Sequence, residues 1–501
     1  MTVRSNTSIH AFYASDDPAY QADVRLSERS TAQGGDFVVA WDFADVDGNI
    51  RFSGKKPLAL TAQRSSEAVD IPLRAPNGWY AARVRLLLPD GALLIDHRSS
   101  FVMLPPDTRK AGDESPHGHW WFSTTHGNRP DIKRVGELMK RAGIRHLNLP
   151  ETFSHEMTAP YKLSLPCVRW NRYALSDAES FDEGLENYSK YLDDVMGKYP
   201  NTQYAMIFHE SGGPCPYPSE MWGEKTEFED FDEEGTFRHG IYKQAYEVAR
   251  LIRRKYPQLK IQIGNSGDSV KLVSGLLRCG FPRELYDYLA VETLGQEMMP
   301  EKPTIGGLQA AWYLKHLARQ FGHEAKITAC YEWIGRDSRT LGMVVRDEWF
   351  VRDMVHALAY GMKTIYLGGV STNADGYFHS RWGGYATCGR YPYLYPSPYY
   401  MVRATFTQVF DRVRYERNVD TGSQSTYLIE FSQEESDNLI YAYWNPKGQR
   451  PMTISFAKAG PVRLVDMHGR SREVTGREVA ATVATGDTSW KWPCRWSISR
   501  C

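Results

Sequence analysis

The chain has 501 residues, more than one hydrophobic core usually supports, so a large domain with one or two smaller companions is expected. Its 60 basic and 60 acidic residues cancel, which argues against a nucleic acid or a membrane surface as partner, because neither would meet a dominant field. There is no long apolar run to cross a membrane and no apolar stretch of a leader between Met1 and His10, and the seven cysteines show neither CxxC pairs nor regular spacing; together these read as reduced thiols in a cytoplasmic protein. Aromatic residues reach 13% of the chain, with 14 Trp and 30 Tyr, which suits stacking on sugar rings but serves large cores as well.

Residues 1–110 show short alternating runs divided by turn signals: Asp36 to Phe43, then Asp47-Gly48, then Gly78 to Leu88, then Asp90-Gly91. Period-two strands with hairpin chemistry between them predict an N-terminal antiparallel β-sandwich. Pro105-Pro106 and the polar stretch from Asp107 to Pro116 read as a linker.

Residues 111–410 alternate apolar β-type runs with amphipathic helical patterns. Strands are predicted at Trp120 to Ser123, Arg145 to Leu149, Gln203 to Phe208, Lys260 to Gly264, Tyr288 to Val291, Lys326 to Cys330 and Lys363 to Leu367, with a less distinct third strand near Tyr161 to Val168. Helical patterns include Asp131 to Ala142, Phe181 to Lys198, Phe237 to Lys255, Gly307 to Phe321 and Asp347 to Tyr360. Repeated βα units specify a parallel sheet with right-handed crossovers, and eight of them fit an α/β fold of the (β/α)8 TIM barrel type. No glycine-rich phosphate fingerprint follows the first strand, which disfavours a dinucleotide fold. Over residues 411–501 the alternation returns, in Ser425 to Phe431 and Leu439 to Trp444, and predicts a C-terminal β-sandwich.

On this map the acids gain meaning. Tyr204-Ala-Met-Ile-Phe-His-Glu210 and Lys326-Ile-Thr-Ala-Cys-Tyr-Glu332 each run an apolar strand into a glutamate, at the predicted strands four and seven. The carboxyl ends of barrel strands form the working face, and two acids facing one cleft are the minimum equipment for glycoside hydrolysis. Glu151, after strand two, and Glu292, ending strand six, point to the same rim. Clustered carboxylates raise one another's pKa, so that one stays protonated while another remains ionised. For any single rim glutamate, pairing with an arginine is an equally good account; the pair at strands four and seven is what favours catalysis.

Several stretches resemble the clan A glycoside hydrolases, especially the family 39 β-xylosidases and α-L-iduronidases. Leu138 to Asn148 is similar to the second βα unit of these enzymes, Lys190 to Pro200 leading into His209-Glu210 to the helix and strand that deliver their acid/base, Lys326 to Trp333 to their nucleophile strand, and Tyr360 to Tyr366 to their last strand. Individually these motifs are weak; their order and spacing carry the resemblance. It implies a retaining enzyme with Glu210 as general acid/base and Glu332 as nucleophile, acting without a cofactor on an oligosaccharide or glycoside. Clan A enzymes usually carry Asn before the acid/base, where its amide bonds the sugar 2-hydroxyl. Here that position is His209, whose reach and titratable charge differ, so the sugar is left open.

Further substrate-binding candidates are His126 after strand one, Trp333 and Arg336 after strand seven, and Tyr377, His379 and Trp382 in the long Gly- and Tyr-rich loop after strand eight, which reads as a lid or subsite wall. Packing at the barrel rim explains each aromatic side chain equally well when taken singly. Two other readings compete. His117-Gly-His119 resembles the HxH metal pair of amidohydrolase barrels, but it precedes the predicted first strand, and no HExxH or aspartate-rich loop supports metal catalysis. A non-catalytic carbohydrate-binding protein on a hydrolase fold would have no need of acids at both strand ends. The architecture is also compatible with a homo-oligomer in which the sandwiches wall a neighbour's cleft.

Overall fold

A computed structural model of the chain describes residues 1–27, 34–112, 114–119, 132–147, 167–169, 178–200, 202–207, 242–264, 269–292, 301, 308–324, 326–330, 338–367, 387–389, 393–446, 449–484 and 495–499. The N-terminal region contains β1 (Thr2–Ser5), β2 (Ala11–Tyr13), β3 (Ala19–Arg25), β4 (Gly35–Asp45), β5 (Ile50–Leu60), β6 (Ser66–Pro72), β7 (Gly78–Leu87) and β8 (Leu93–Leu104). They form two sheets, ordered β1-β3-β6 and β2-β8-β7-β4-β5. Strand β7 alternates buried and half-buried residues along its whole length, as a strand with one face in a core must. Tyr20, Val24, Val69 and Ile71 from the first sheet share one core with Val39, Phe43, Tyr80 and Phe101 from the second. On the opposite face of the larger sheet, the cross-strand pair Arg83–Asp96 closes at 2.7 Å.

The central region supplies eight short strands: β9 (His117–His119), β10 (His146–Leu147), β11 (Cys167–Arg169), β12 (Tyr204–Ile207), β13 (Lys260–Gly264), β14 (Tyr288–Glu292), β15 (Lys326–Cys330) and β16 (Met362–Leu367). Among the described residues seven α-helices accompany them: α1 (Ile132–Arg141), α2 (Phe181–Lys198), α3 (Lys243–Lys255), α4 (Ser269–Arg278), α5 (Leu308–Gln320), α6 (Ser338–Ala359) and α7 (Pro398–Val409). The pairings among the eight strands are parallel, and the sheet order is β10-β9-β16-β15-β14-β13-β12-β11. That order is chain order taken round a ring, with no pairing between β10 and β11 among the described residues. Helix α2 starts where Ser180 accepts a hydrogen bond from the Glu183 amide at 3.2 Å, a side-chain N-cap reinforced by Asp182 and Glu183 in the first turn.

The outward residues of the strands, Ala205, Ile207, Ile261, Ile263, Leu289, Val291 and Ile365, pack into the helix layer and form one core with it. This core runs on without a break into the C-terminal strands β17 (Val413–Asn418), β18 (Tyr427–Gln433), β19 (Leu439–Trp444), β20 (Gln449–Asp466), β21 (Ser471–Ala484) and β22 (Arg495–Ser499), through Leu428, Ile429, Phe431, Ile440 and Leu464. They make two antiparallel sheets, β17-β18-β19 and β21-β20-β22.

Three sequence expectations need correction. The first strand of the parallel sheet takes in His117–His119, ahead of the predicted start at Trp120, where pairing with β10 and β16 places it; Trp120 to Ser123 lies outside the described residues. Helix α6 begins at Ser338, nine residues ahead of the apolar pattern, and the helices α4 and α7 stand where the sequence reading places no helix. The stretch read as a linker is strapped down. Arg109, with a side chain only 3% exposed, donates to Thr407 Oγ1 at 2.9 Å and to the Arg141 carbonyl at 2.8 Å, and the amides of Lys110 and Ala111 donate to Asp411. Among the described residues no helix is long and apolar enough to cross a membrane.

Candidate active site

Strand period decides what the sheet offers to a ligand. Because Ala205, Ile207, Ile261, Ile263, Leu289, Val291, Ile327 and Ile365 face the helices, the alternate positions 204, 206, 262, 264, 288, 290, 326, 364 and 366 share the other face. That face is lined by polar and aromatic groups. The His146 and Tyr204 rings meet edge-on at 6.2 Å, Tyr204 and Tyr288 lie 6.0 Å apart, and the Thr364 hydroxyl donates to Tyr204 Oη at 3.1 Å. In a flat sheet, β10 and β12 would stand six strand spacings apart, about 29 Å, and β16 and β12 about 19 Å. The contacts therefore require a sheet curled until its ends approach. Burial, with Tyr204 next in effect, pushes the Tyr288 hydroxyl up to about 12, so it remains a neutral hydrogen-bonding group. Gln262, 1% exposed, sits in the same face between two isoleucines, and its Nε2 has no partner among the described residues.

Parallel pairing puts the carboxyl ends of all these strands at one end of the sheet. Glu210 follows the end of β12 by three residues, and Glu332 follows the end of β15 by two. Glu292 is the last residue of β14, paired with Cys330, and by strand period its position falls on the face shared by Tyr288 and Ala290. At the neighbouring strand end Gly264 has φ +105°, and a Cβ there would lie 2.4 Å from the Ala290 carbonyl oxygen, so β13 and β14 meet at a spacing that only glycine allows. Of the residues singled out from the sequence, His126, Glu151, His209, Glu210, Glu332, Trp333, Arg336, Tyr377, His379 and Trp382 lie outside the described residues.

His117 is fully buried on the helix side of β9, with its ring edge-on to Phe406 of α7 at 5.7 Å. Burial, with the Arg403 guanidinium next in effect, holds it neutral down to about pH 3. The histidine pair, expected from the sequence to precede the first strand, forms that strand instead, and His117 faces away from the polar side of the sheet.

A buried ionic junction between α6, the C-terminal sheet and the connection after β14 is not foreseen from the sequence. Glu301, from the connection after β14, accepts a hydrogen bond from Trp444 Nε1 at 2.6 Å and pairs with Arg352 of α6 at 3.1 Å, both side chains being less than a tenth exposed. Trp444 stacks on Tyr427 at 4.9 Å, so the C-terminal sheet grips that connection through one carboxylate. Glu348 lies one turn ahead of Arg352. Burial pushes its carboxyl up to about 7, against the opposing pull of Arg352 and with a further push from Asp347. No local periodicity announces such a junction, since its members come from three distant parts of the chain.

This burial makes stability depend on pH in a defined direction. The folded pKa of Glu348, about 7, lies above the ordinary 4.5, so the native state favours the protonated form and loses stability as pH rises between these values. Glu348→Gln keeps the shape of the neutral acid. The variant is expected to match wild type near pH 4.5 and to exceed it at pH 8 by at most about 3 kcal/mol, because each tenfold change in a protonation equilibrium is worth about 1.4 kcal/mol. Urea unfolding at both pH values measures the gap, and a wild type as stable as the variant at pH 8 would show that Glu348 is not buried as the structure has it.

No family model matches the sequence, and no curated protein does. The structure, however, superposes over its full length on a family 39 glycoside hydrolase from the gut symbiont Bacteroides cellulosilyticus WH2, with a TM-score of 0.71, 10% identity and 100% of both chains covered. The fold is that of a family 39 glycoside hydrolase. Weaker likenesses are to a GH30 endoxylanase from Clostridium papyrosolvens C71 (TM-score 0.47, 10% identity, 79% of this chain and 98% of the other) and to the GH39 enzyme from Xanthomonas axonopodis pv. citri (TM-score 0.46, 10% identity, 78% and 96%). The family 39 fold thus extends over all three regions, with the parallel sheet at the centre and the antiparallel sheets on either side of it in sequence.

Proposed function

We propose that this protein is a retaining glycoside hydrolase, exo-acting on oligosaccharides or glycosides, in which Glu332 is the nucleophile and Glu210 the general acid/base. The observation that carries this reading is the placement of two acids just past β12 and β15 of one curled parallel sheet in a family 39 fold. Sequence spacing supports it: Tyr204 and Lys326 stand on the face turned away from the helices, and Glu210 and Glu332 each follow six residues later in the chain. In such a site the carboxyls stand about 5 Å apart. Glu332 attacks the anomeric carbon while Glu210 gives its proton to the leaving oxygen; water, deprotonated by Glu210, then releases the sugar with its configuration kept. Glu292 would bond a sugar hydroxyl or orient Glu332.

The same reading closes the curled sheet into a (β/α)8 barrel over residues 111–410, with β-sandwiches at 1–110 and 411–501. A screen of aryl pentosides and hexosides in both anomers tests the activity, and NMR of the first-formed sugar tests the mechanism. Turnover with retained configuration is expected. An inverted product would overturn the double displacement, and tight glycoside binding without turnover across the panel would favour a carbohydrate-binding protein. The packing of His117 against Phe406 speaks against the metal-dependent alternative.

A further inference from the structure

Helix α6 meets the C-terminal strands across a buried group of acids. Asp347, Glu348 and Asp353 come from the helix itself and Glu301 from the connection after β14, and all four side chains are buried. The described residues answer only two of them with a base. Arg352 pairs with Glu301 at 3.1 Å, and His468 Nε2 lies 3.6 Å from Asp347 Oδ2. His356, one turn past Arg352, does not add a charge, because burial, with Arg352 next in effect, holds it neutral down to about 4. Glu348 and Asp353 are left without a cation of their own. Among the described residues neither oxygen of Asp353 accepts a hydrogen bond, and Glu348 Oε1 accepts none either. An ionised carboxylate so placed is costly, and such a group takes up a proton instead.

The same junction holds the C-terminal strands to the helix. Trp444, at the end of β19, donates to Glu301 at 2.6 Å and meets the His356 ring edge-on at 5.3 Å. Tyr427, at the start of β18, stacks on Trp444 and meets the same histidine edge-on at 5.9 Å. His468 approaches Asp347 from the turn between β20 and β21, which is fixed by Asp466: its Oδ1 accepts from the amides of His468 and Arg470 at 3.0 and 2.9 Å. Both C-terminal sheets therefore reach α6 within a few side chains of the two unanswered acids.

We propose that the C-terminal sheets are latched to α6 by a proton-dependent junction: Glu348 and Asp353 hold protons in the docked state, and raising the pH loosens the grip of Trp444, Tyr427 and His468 on the helix. The groups facing Glu348 are Arg352, Asp347, His468 and Glu301, and those facing Asp353 are Glu301 and Arg352. Burial raises both carboxyls, Glu348 to about 7 and Asp353 well above its usual range, with Arg352 opposing in each case. Acids whose docked values lie above their open ones favour docking less as they ionise, so the latch weakens as pH rises from the ordinary carboxyl range through about 7. The latch is independent of the proposed glycosidase site.

The test is hydrogen exchange on the full chain at pH 6 and pH 8.5, with rates corrected for the pH dependence of a free amide, in wild type and in Glu348→Gln and Asp353→Asn, singly and together. In wild type, protection of β18, β19 and α6 is expected to fall about tenfold or more between the two pH values, tenfold being the share of Glu348 alone, while β4 and β7 of the N-terminal sheet keep theirs. In the double variant, which carries neutral amides at both positions, the fall should disappear. Wild-type protection that does not change with pH overturns the latch. An equal fall in β4 and β7 overturns it too, since the opening would then be global. A fall undiminished in the double variant shows that other groups titrate and overturns the assignment to these acids. Should Asp353→Asn not fold, Glu348→Gln alone is expected to remove about tenfold of the response, and an unaltered response there is read the same way.

Discussion

In the Glu332→Gly variant, turnover of an activated aryl glycoside is expected to fall about 10⁴-fold or more, and added azide to restore it as a glycosyl azide. Without the carboxylate no covalent intermediate forms, and glycine leaves room for a small anion on the same face of the sugar. Azide entering there attacks opposite the leaving group, so the product has the inverted anomeric configuration. Glu210→Gln should behave differently. A dinitrophenyl leaving group needs no proton, so the first step survives while an alkyl glycoside is lost, and azide attacking the glycosyl-enzyme gives the retained anomer. Opposite azide anomers from the two variants separate the roles. A Glu332→Gly enzyme at wild-type rate would sink the assignment of β15 as the nucleophile strand.

Gly264→Ala is expected to destabilise the fold by about 4 kcal/mol, the sum of a left-handed non-glycine residue and a close overlap at a packed strand. The added methyl would stand 2.4 Å from the Ala290 carbonyl oxygen at φ +105°, and neither strand end can retreat while both remain in the sheet. Since β13 and β14 lie between the two acid-bearing strands, the folded fraction should also lose activity. Gly197→Ala supplies the control of opposite sign. That glycine is exposed in α2 with open space around its Cβ position, and alanine there is expected to raise stability by up to about 1 kcal/mol. Thermal unfolding of the pair settles both, and a Gly264→Ala protein with wild-type Tm would refute the close approach of β13 and β14.

Much of the architecture could be read from the chain because the signals are local. The runs Lys260 to Gly264 and Lys326 to Cys330 coincide with β13 and β15, and Phe181 to Lys198 with α2, where a continuous apolar run or a 3.6-residue stripe is long and its ends are marked by Ser180, Gly264 or a charge. That Glu210 and Glu332 follow the ends of β12 and β15 by three and two residues was legible from the same patterns, while both lie outside the described residues. The start of the first strand was not legible because His117-Gly118-His119 carries no apolar run, and its place is set by partners far along the chain, His146 pairing with Gly118 and Ile365 with His117. Helix α6 began early because Ser338 to Arg346 carries no clean apolar stripe.

By itself the sequence determined the order of strands and helices, the carboxylates that follow β12 and β15, and the flanking alternating runs, since each depends on side chains within a few residues of one another. Only the tertiary structure decided that the sheet curls until Thr364 reaches Tyr204, that Glu301 joins Arg352 and Trp444, and that Trp79 and Ser100 share the Pro396 carbonyl. The last of these partners are separated by about 300 residues, and contacts of that kind leave no periodic trace in a chain: they arise from the closing of the sheet and the burial of polar groups that must then find partners wherever the fold brings them.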